Sequence, residues 1–175
     1  MRGRFALLAL LALLALMLLP AAPAAAAAGA LERWAGGAPP PLALKSLAGS
    51  EIDLARLRGK VVLVNFWATW CEPCRDEMPA MDRLRERFAD EPFVILAVNV
   101  DEPEQRIRRF LDRLPLGFEI LLDPGLRATK AWGARILPST YLIDRNGRIR
   151  LAARGELDWA DEQNVGAIRA LLRER

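Results

Sequence analysis

Two cysteines, Cys71 and Cys74, are the only thiols of the 175-residue chain, and Glu72 and Pro73 separate them. Two thiols at this spacing can form a disulfide with each other and exchange it with a disulfide of another protein. A continuous apolar run, residues 61–67, precedes them and is typical of a strand buried on both faces. The sequence therefore predicts a dithiol where a buried strand passes into a helix.

The two cysteines are expected to have different roles because they differ in position along this helix. At the helix N-terminus, free backbone N–H groups and the helix dipole favour a negatively charged sulfur at Cys71. We therefore expect Cys71 to attack a substrate disulfide as the thiolate. Cys74 lies one turn further in, so we expect it to be more buried and to resolve the mixed disulfide.

The two intervening residues bear on the direction of the reaction. Pro73 has no N–H and a fixed φ, which suits the first helical turn. Glu72 places a negative charge near the Cys71 thiolate and opposes its stabilisation. Because a strong oxidant needs a very stable thiolate, Glu72 favours a protein disulfide reductant over a disulfide-donating oxidant, which stays open as an alternative.

The remaining composition argues against a metal site. Structural zinc takes four Cys or His ligands. The chain has no histidine and no further cysteine, so zinc would require two chains. A chaperone that holds Cu(I) between the two thiolates is an alternative from a different class. We expect no metal and no cofactor.

The first 28 residues have the features of an export signal. Arg2 and Arg4 precede an apolar stretch, residues 5–19, and small residues up to Ala28 offer cleavage sites. The alternative is an uncleaved membrane anchor formed by residues 5–28. Either reading predicts a periplasmic or other extracytoplasmic location, where oxidising conditions favour disulfides. Without the two arginines the formal net charge falls from +3 to +1, which gives no reason to expect nucleic acid as a partner.

The remaining chain is expected to form a linker, residues 29–41, and one domain, residues 42–175. Its pattern of strands and helices predicts an α/β fold with a mixed central sheet, helices on both faces and an N-terminal β-hairpin. The expected elements are a hairpin at 42–54, strands at 61–67, 93–100, 120–122, 140–144 and 148–152, and helices after the dithiol and at 104–114, 126–132 and 160–172. In the last helix we expect Val165, Ile168 and Leu172 to face inward.

Three segments carry a resemblance to a known family. They are residues 64–79, with the sequence VNFWATWCEPCRDEMP, then Asp123-Pro124, and then residues 137–147, LPSTYLIDRNG. They resemble the thioredoxin superfamily, and most closely its exported TlpA/ResA-type branch together with the cytochrome c biogenesis thioredoxins. The resemblance covers most of residues 42–175 and implies a thioredoxin-like fold and a thiol-disulfide oxidoreductase activity.

The resemblance also implies roles for residues away from the cysteines. Pro138 would be cis and pack against the dithiol, and the backbone of Leu137 would pair with an extended substrate segment. Thioredoxin has a buried aspartate where this chain has Asn65, which cannot titrate. Glu77 matches a glutamate that takes a similar role in the TlpA/ResA branch, so we expect its buried carboxylate to accept the proton of Cys74. Trp70, Glu72, Pro73 and Leu137 are the expected substrate-binding residues.

From these residues and the resemblance we expect an exported reductase of protein disulfides. The resemblance implies apocytochrome c or an oxidase copper-site protein as the substrate, and a membrane electron donor that reduces the dithiol again. We expect a monomer. A peroxidase is disfavoured, because nothing ahead of Cys71 resembles a peroxide-binding threonine and arginine.

Overall fold

The computed structural model describes residues 29–174, so the expected export signal at residues 1–28 lies outside the described residues. The described part contains eight strands and four α-helices. In chain order they are β1 Glu32–Arg33, β2 Ala43–Lys45, β3 Glu51–Asp53, β4 Val61–Trp67, α1 Glu72–Arg87, β5 Phe93–Val100, α2 Glu104–Leu111, β6 Glu119–Asp123, α3 Arg127–Ala131, β7 Ser139–Ile143, β8 Ile149–Arg154 and α4 Glu162–Arg173.

Six strands form one mixed sheet in the order β1-β8-β7-β4-β5-β6. Strands β4, β5 and β6 are parallel, whereas β7, β8 and β1 are each antiparallel to their neighbours. Strands β2 and β3 form a separate antiparallel hairpin. The mixed sheet and the N-terminal hairpin confirm the predicted fold class.

Strand β4 lies near the centre of the sheet, and all seven of its residues are buried. Its side chains alternate between the two faces. On one face, Asn65 reaches Glu77 of α1. On the other face, Phe66 packs against Trp132, which directly follows α3, with the ring centroids 5.8 Å apart. Helices therefore cover both faces of the sheet, as the continuous apolar run of β4 requires.

The structure differs from the sequence-based expectation in two places. Residues 29–41, expected to be a linker, contain β1, in which Glu32 pairs with Ala152 of β8. This segment therefore packs on the domain instead of standing away from it. In α4, Leu171 is buried because a step of three residues from Ile168 keeps it on the inner face, whereas Leu172 is only half-buried and packs against the edge of the core. Among residues 29–174, no helix combines the length and apolar character needed to cross a membrane.

Candidate active site

Cys71 and Cys74 lie at the N-terminus of α1 and are joined by a disulfide, with their Cα atoms 5.3 Å apart. Cys71 is the N-cap residue, and its Sγ accepts a hydrogen bond from the backbone N–H of Cys74 at 3.3 Å. In the reduced state the same N–H can stabilise a thiolate on Cys71. Cys71 is 5% exposed and Cys74 is fully buried, the order expected for an attacking and a resolving cysteine.

The Leu137–Pro138 peptide bond is cis and immediately precedes β7. Ser139, the first residue of β7, pairs with Phe66 near the end of β4. Since β4 continues directly into the dithiol loop, this register brings Pro138 to the same edge of the sheet as Cys71. The carbonyl of Pro138 accepts a hydrogen bond from Gly155 N–H at 2.8 Å, which ties the segment to β8.

The carboxylate of Glu77 is buried on the inner face of α1, three residues after Cys74. Residues at this spacing lie on the same side of a helix. Glu77 Oε1 accepts a hydrogen bond from Asn65 Nδ2 at 2.7 Å, and Oε2 accepts one from Leu157 N–H at 3.1 Å. Burial raises the pKa of Glu77 to about 7, although the two hydrogen bonds act in the opposite direction. The group can therefore accept or release a proton near neutral pH.

Asn65 holds this carboxylate from the sheet side. Its Nδ2 donates both to Glu77 and to Thr140 Oγ1, the latter at 3.0 Å, so one amide connects β4, α1 and β7. Its Oδ1 is buried and has no hydrogen-bond partner among the residues that the structure describes. Because an amide cannot titrate, Glu77 and not Asn65 is the group of this cluster that can exchange a proton near neutral pH.

A second buried carboxylate, Glu102, fixes the loop that leads into the dithiol. It accepts hydrogen bonds from Thr69 N–H at 2.6 Å and from Thr69 Oγ1 at 2.5 Å, and a third from Asn99 Nδ2 at 2.8 Å. Its side chain is only 3% exposed. Glu102 was not among the site residues predicted from the sequence. The signal was present, because Asn99 and Glu102 stand at the carboxyl end of a strand parallel to β4 and so at the same edge as the dithiol.

Within residues 29–174, two large apolar side chains remain exposed, Trp70 at 63% and Ile136 at 55%. Trp70 directly precedes Cys71, and Ile136 stands two residues before the cis-proline. Exposed apolar side chains on both segments that border a reactive disulfide are typical of a contact surface for another protein. The sequence predicted this role for Trp70 but not for Ile136. Of the other expected substrate-binding residues, Glu72 is exposed, and Pro73 and Leu137 are half-buried.

Residues 35–152 match the model of the AhpC/TSA family. Among similar sequences, thiol-disulfide oxidoreductase ResA of Geobacillus thermodenitrificans is 38% identical over 135 residues, which are 77% of this chain and 78% of that protein. ResA of Halalkalibacterium halodurans is 45% identical over 106 residues, 61% of this chain, and the match spans 60% of the relative's own length.

Similar solved structures have the same fold as this chain. A crystal structure assigned as thiol:disulfide interchange protein DsbE from Chlorobium tepidum is 31% identical and covers 82% of this chain and 99% of that chain, with a TM-score of 0.73. The crystal structure of a secreted thiol-disulfide isomerase from Corynebacterium glutamicum is 22% identical and covers 89% and 98%, also with a TM-score of 0.73. At that identity the second likeness shows the fold alone.

Proposed function

This chain belongs to the AhpC/TSA family and is a thioredoxin-like thiol-disulfide oxidoreductase, and we propose that it works outside the cytoplasm as a reductant of protein disulfides. The observation that carries the proposal is the buried Glu77 carboxylate, which lies one helical turn from the buried Cys74 and has a pKa of about 7. A resolving thiol in that environment needs a base, and Glu77 can serve as one at neutral pH.

The reaction follows from these positions in two steps. The thiolate of Cys71 attacks one sulfur of the substrate disulfide, which forms a mixed disulfide and releases the first substrate thiolate. Glu77 then takes the proton of Cys74, and the resulting thiolate attacks Cys71 Sγ. The second substrate thiolate leaves, the protein holds the Cys71–Cys74 disulfide, and the substrate has gained two electrons. The released substrate thiolates take up protons from water.

The substrate-binding surface is proposed to surround Cys71. The backbone of Leu137 pairs with an extended segment of the substrate, and cis-Pro138 packs against the dithiol. Trp70 contributes an exposed aromatic face, while Glu72 and Pro73 occupy the start of α1 beside the reacting sulfur. These residues are proposed because the two segments that carry them flank Cys71 at one edge of the sheet.

The setting of the reaction is also part of the proposal. The export-like residues 1–28 and the resemblance to the exported TlpA/ResA-type branch support an extracytoplasmic location, either released or tethered by residues 5–28. There the oxidised dithiol needs electrons from a membrane donor. Apocytochrome c or an oxidase copper-site protein is the proposed substrate, and the protein is proposed to act as a monomer.

The test is the equilibrium reduction potential of the Cys71–Cys74 couple in the full chain. A reductant that depends on an electron supply should have a value near or below about −220 mV, on the glutaredoxin-to-thioredoxin side of the scale. The exposed carboxylate of Glu72 beside Cys71 favours this direction. A value near about −120 mV, as for strong exported oxidants, would overturn the proposed direction and make the protein a disulfide donor.

A further inference from the structure

A groove of about 480 Å³ lies beside the dithiol loop, and its lining contains a cluster of four arginines. The four, called here the arginine groove, are Arg75, Arg106, Arg109 and Arg113, together with the apolar side chains of Phe110 and Leu114. All four arginines are exposed. Arginine side chains bind carboxylates through two parallel hydrogen bonds, which a compact lysine ammonium cannot do.

The fold explains why these arginines stand together. Arg106, Arg109 and Arg113 follow one another at helical spacing along α2 and the turn after it, so their side chains form one stripe. Phe110, on the same stripe, packs against Trp67 of β4 with ring centroids 5.4 Å apart. The stripe is thus fixed to the strand that carries the dithiol loop.

The groove also borders the reactive disulfide directly. Thr69, which lies two residues before Cys71, is part of its lining, and so is Arg75, which immediately follows Cys74. A substrate segment that extends from a disulfide at Cys71 therefore meets the groove within a few residues.

Most of this positive charge is not neutralised within the described part of the chain. Arg106 alone has a carboxylate nearby, Glu102 at 3.8 Å, and that carboxylate is buried and already accepts from Thr69. In residues 29–174 no carboxylate lies within 4.0 Å of Arg75, Arg109 or Arg113. The acidic residues within three positions of these arginines do not line the groove; they are Glu72, Asp76, Glu77, Glu104 and Asp112.

We propose that the arginine groove binds an acidic segment of the protein substrate, adjacent to the disulfide that is reduced. The inference rests on the proposed function and adds the class of substrate, which is a disulfide protein with aspartate or glutamate residues near the target cysteine. The concave shape, and the apolar side chains of Phe110 and Leu114 in the lining, distinguish the groove from an ordinary charged surface that faces solvent. Opposite charges accelerate association and select the partner, and this effect weakens as salt screens it.

The experiment compares three disulfide-bridged peptides that share one central sequence and carry acidic, neutral or basic flanking residues. The reduced full chain reacts once with each peptide at low and at high ionic strength, and stopped-flow fluorescence gives the second-order rate constant, which is the single-turnover equivalent of kcat/KM. We expect the acidic peptide to exceed the neutral one by about tenfold or more at low salt, within the range of electrostatic steering. The basic peptide should react more slowly than the neutral one.

The groove variant is Arg106→Gln/Arg109→Gln/Arg113→Gln, which leaves Arg75 in place because it adjoins Cys74. The matched control is Arg56→Gln/Lys60→Gln/Arg148→Gln. It also removes three positive charges, but from exposed positions at the opposite end of β4, where the turn between β7 and β8 meets Gly59. The ratio of acidic to neutral kcat/KM should fall to near one in the groove variant and stay at the wild-type value in the control.

Each outcome separates this inference from the function on which it rests. A wild-type chain that reduces the neutral peptide with no preference for the acidic one overturns the inference alone. An acidic preference that the groove variant keeps, or that the control loses equally, also overturns it. If none of the three peptides is reduced, the proposed function fails and the inference fails with it. The variant's far-ultraviolet circular dichroism must match that of the wild type, and if it does not, single Arg109→Gln and Arg113→Gln variants must each lower the ratio.

Discussion

The carboxylate of Glu77 illustrates how one residue can gain a chemical property from its surroundings. An exposed glutamate is fully ionised at neutral pH, but the burial of Glu77 beneath α1 raises its pKa to about 7. Hydrogen bonds from Asn65 and the Leu157 N–H keep it from shifting further. The result is a carboxylate that exchanges a proton at the pH where a resolving thiol has to lose one.

The first prediction concerns the rate at which Cys74 resolves a mixed disulfide. Replacing Glu77 by Gln keeps the size and polarity of the side chain but removes the base. We expect resolution to slow by about 100-fold at neutral pH, a typical contribution of general base catalysis. The inflection near pH 7 in the pH–rate profile should disappear. The measurement is stopped-flow release of substrate thiol from a preformed mixed disulfide at Cys71.

The matched control for this prediction is Asp76→Asn, which removes a neighbouring carboxylate that is exposed on the same helix. Its rate and its pH profile should resemble those of the wild type. A Glu77→Gln protein that keeps the wild-type pH profile would show that another group, or water, accepts the proton of Cys74.

At the scale of elements, the loop between β4 and α1 is fixed from a neighbouring strand. Thr69 gives both its N–H and its hydroxyl to the buried Glu102 carboxylate, which follows β5. Because β4 and β5 are parallel, their carboxyl ends meet at one edge, and the loop after β5 can hold the loop after β4. The position of Trp70 and Cys71 therefore depends on Glu102, a residue that lies outside the dithiol loop.

The second prediction is that Glu102 acts as a positioning residue for the dithiol. Glu102→Gln leaves only one side-chain oxygen for the two donors of Thr69, its N–H and its hydroxyl. Both hydrogen bonds from Thr69 thereby lose the charge assistance of the carboxylate. We expect attack by Cys71 on the neutral peptide to slow by about tenfold, since small misplacements of reacting groups cost up to about 100-fold in rate. Hydrogen exchange at the Thr69 amide should accelerate in parallel, which a change in chemistry alone would not cause.

Glu104→Gln is the control, because Glu104 is exposed and pairs only with Arg108 on the surface of α2. Its exchange rate at Thr69 and its peptide kinetics should stay unchanged. If Glu102→Gln slows the reaction while Thr69 remains protected, then Glu102 acts through its charge and not by holding the loop.

The elements also show which parts of the structure a single sequence can predict. The buried run of β4 and the helical start at the dithiol were readable because they are local and strongly patterned. Strand β1 was not, because Glu32 and Arg33 are polar and become a strand only through pairing with β8. Glu102 was missed for a related reason, since its importance comes from a contact with Thr69, 33 positions away along the chain.

Charge gives the clearest difference between composition and whole-molecule arrangement. The formal net charge is +3 over 175 residues and +1 without Arg2 and Arg4, which gave no reason to expect nucleic acid as a partner. Folding nevertheless gathers four arginines into one groove at the dithiol, while many of the acidic residues are paired elsewhere or buried. The net charge therefore describes the molecule as a whole, and it gave no information about the local charge of the surface that meets a substrate.

The last prediction links the active site to the stability of the whole molecule. Glu77 has an ordinary value of 4.5 in the unfolded chain and a pKa of about 7 in the folded one, so the folded state binds more protons between these values. Stability from this group is complete below pH 4.5 and is lost as the pH rises through 7. The full difference is about 3–4 kcal/mol, since the shift from 4.5 to about 7 counts for about 1.4 kcal/mol per pKa unit.

Urea unfolding of the oxidised full chain at pH 4.5, 6 and 8 measures this contribution. The free energy of unfolding of the wild type should fall with rising pH relative to Glu77→Gln, whose neutral amide removes the slope due to this residue. Asp76→Asn should keep the wild-type slope. Parallel curves for wild type and Glu77→Gln would mean that the folded protein does not hold Glu77 protonated at neutral pH. In that case ionisation of Glu77 would not destabilise the folded protein near pH 7, the pH at which this carboxylate is proposed to accept the proton of Cys74.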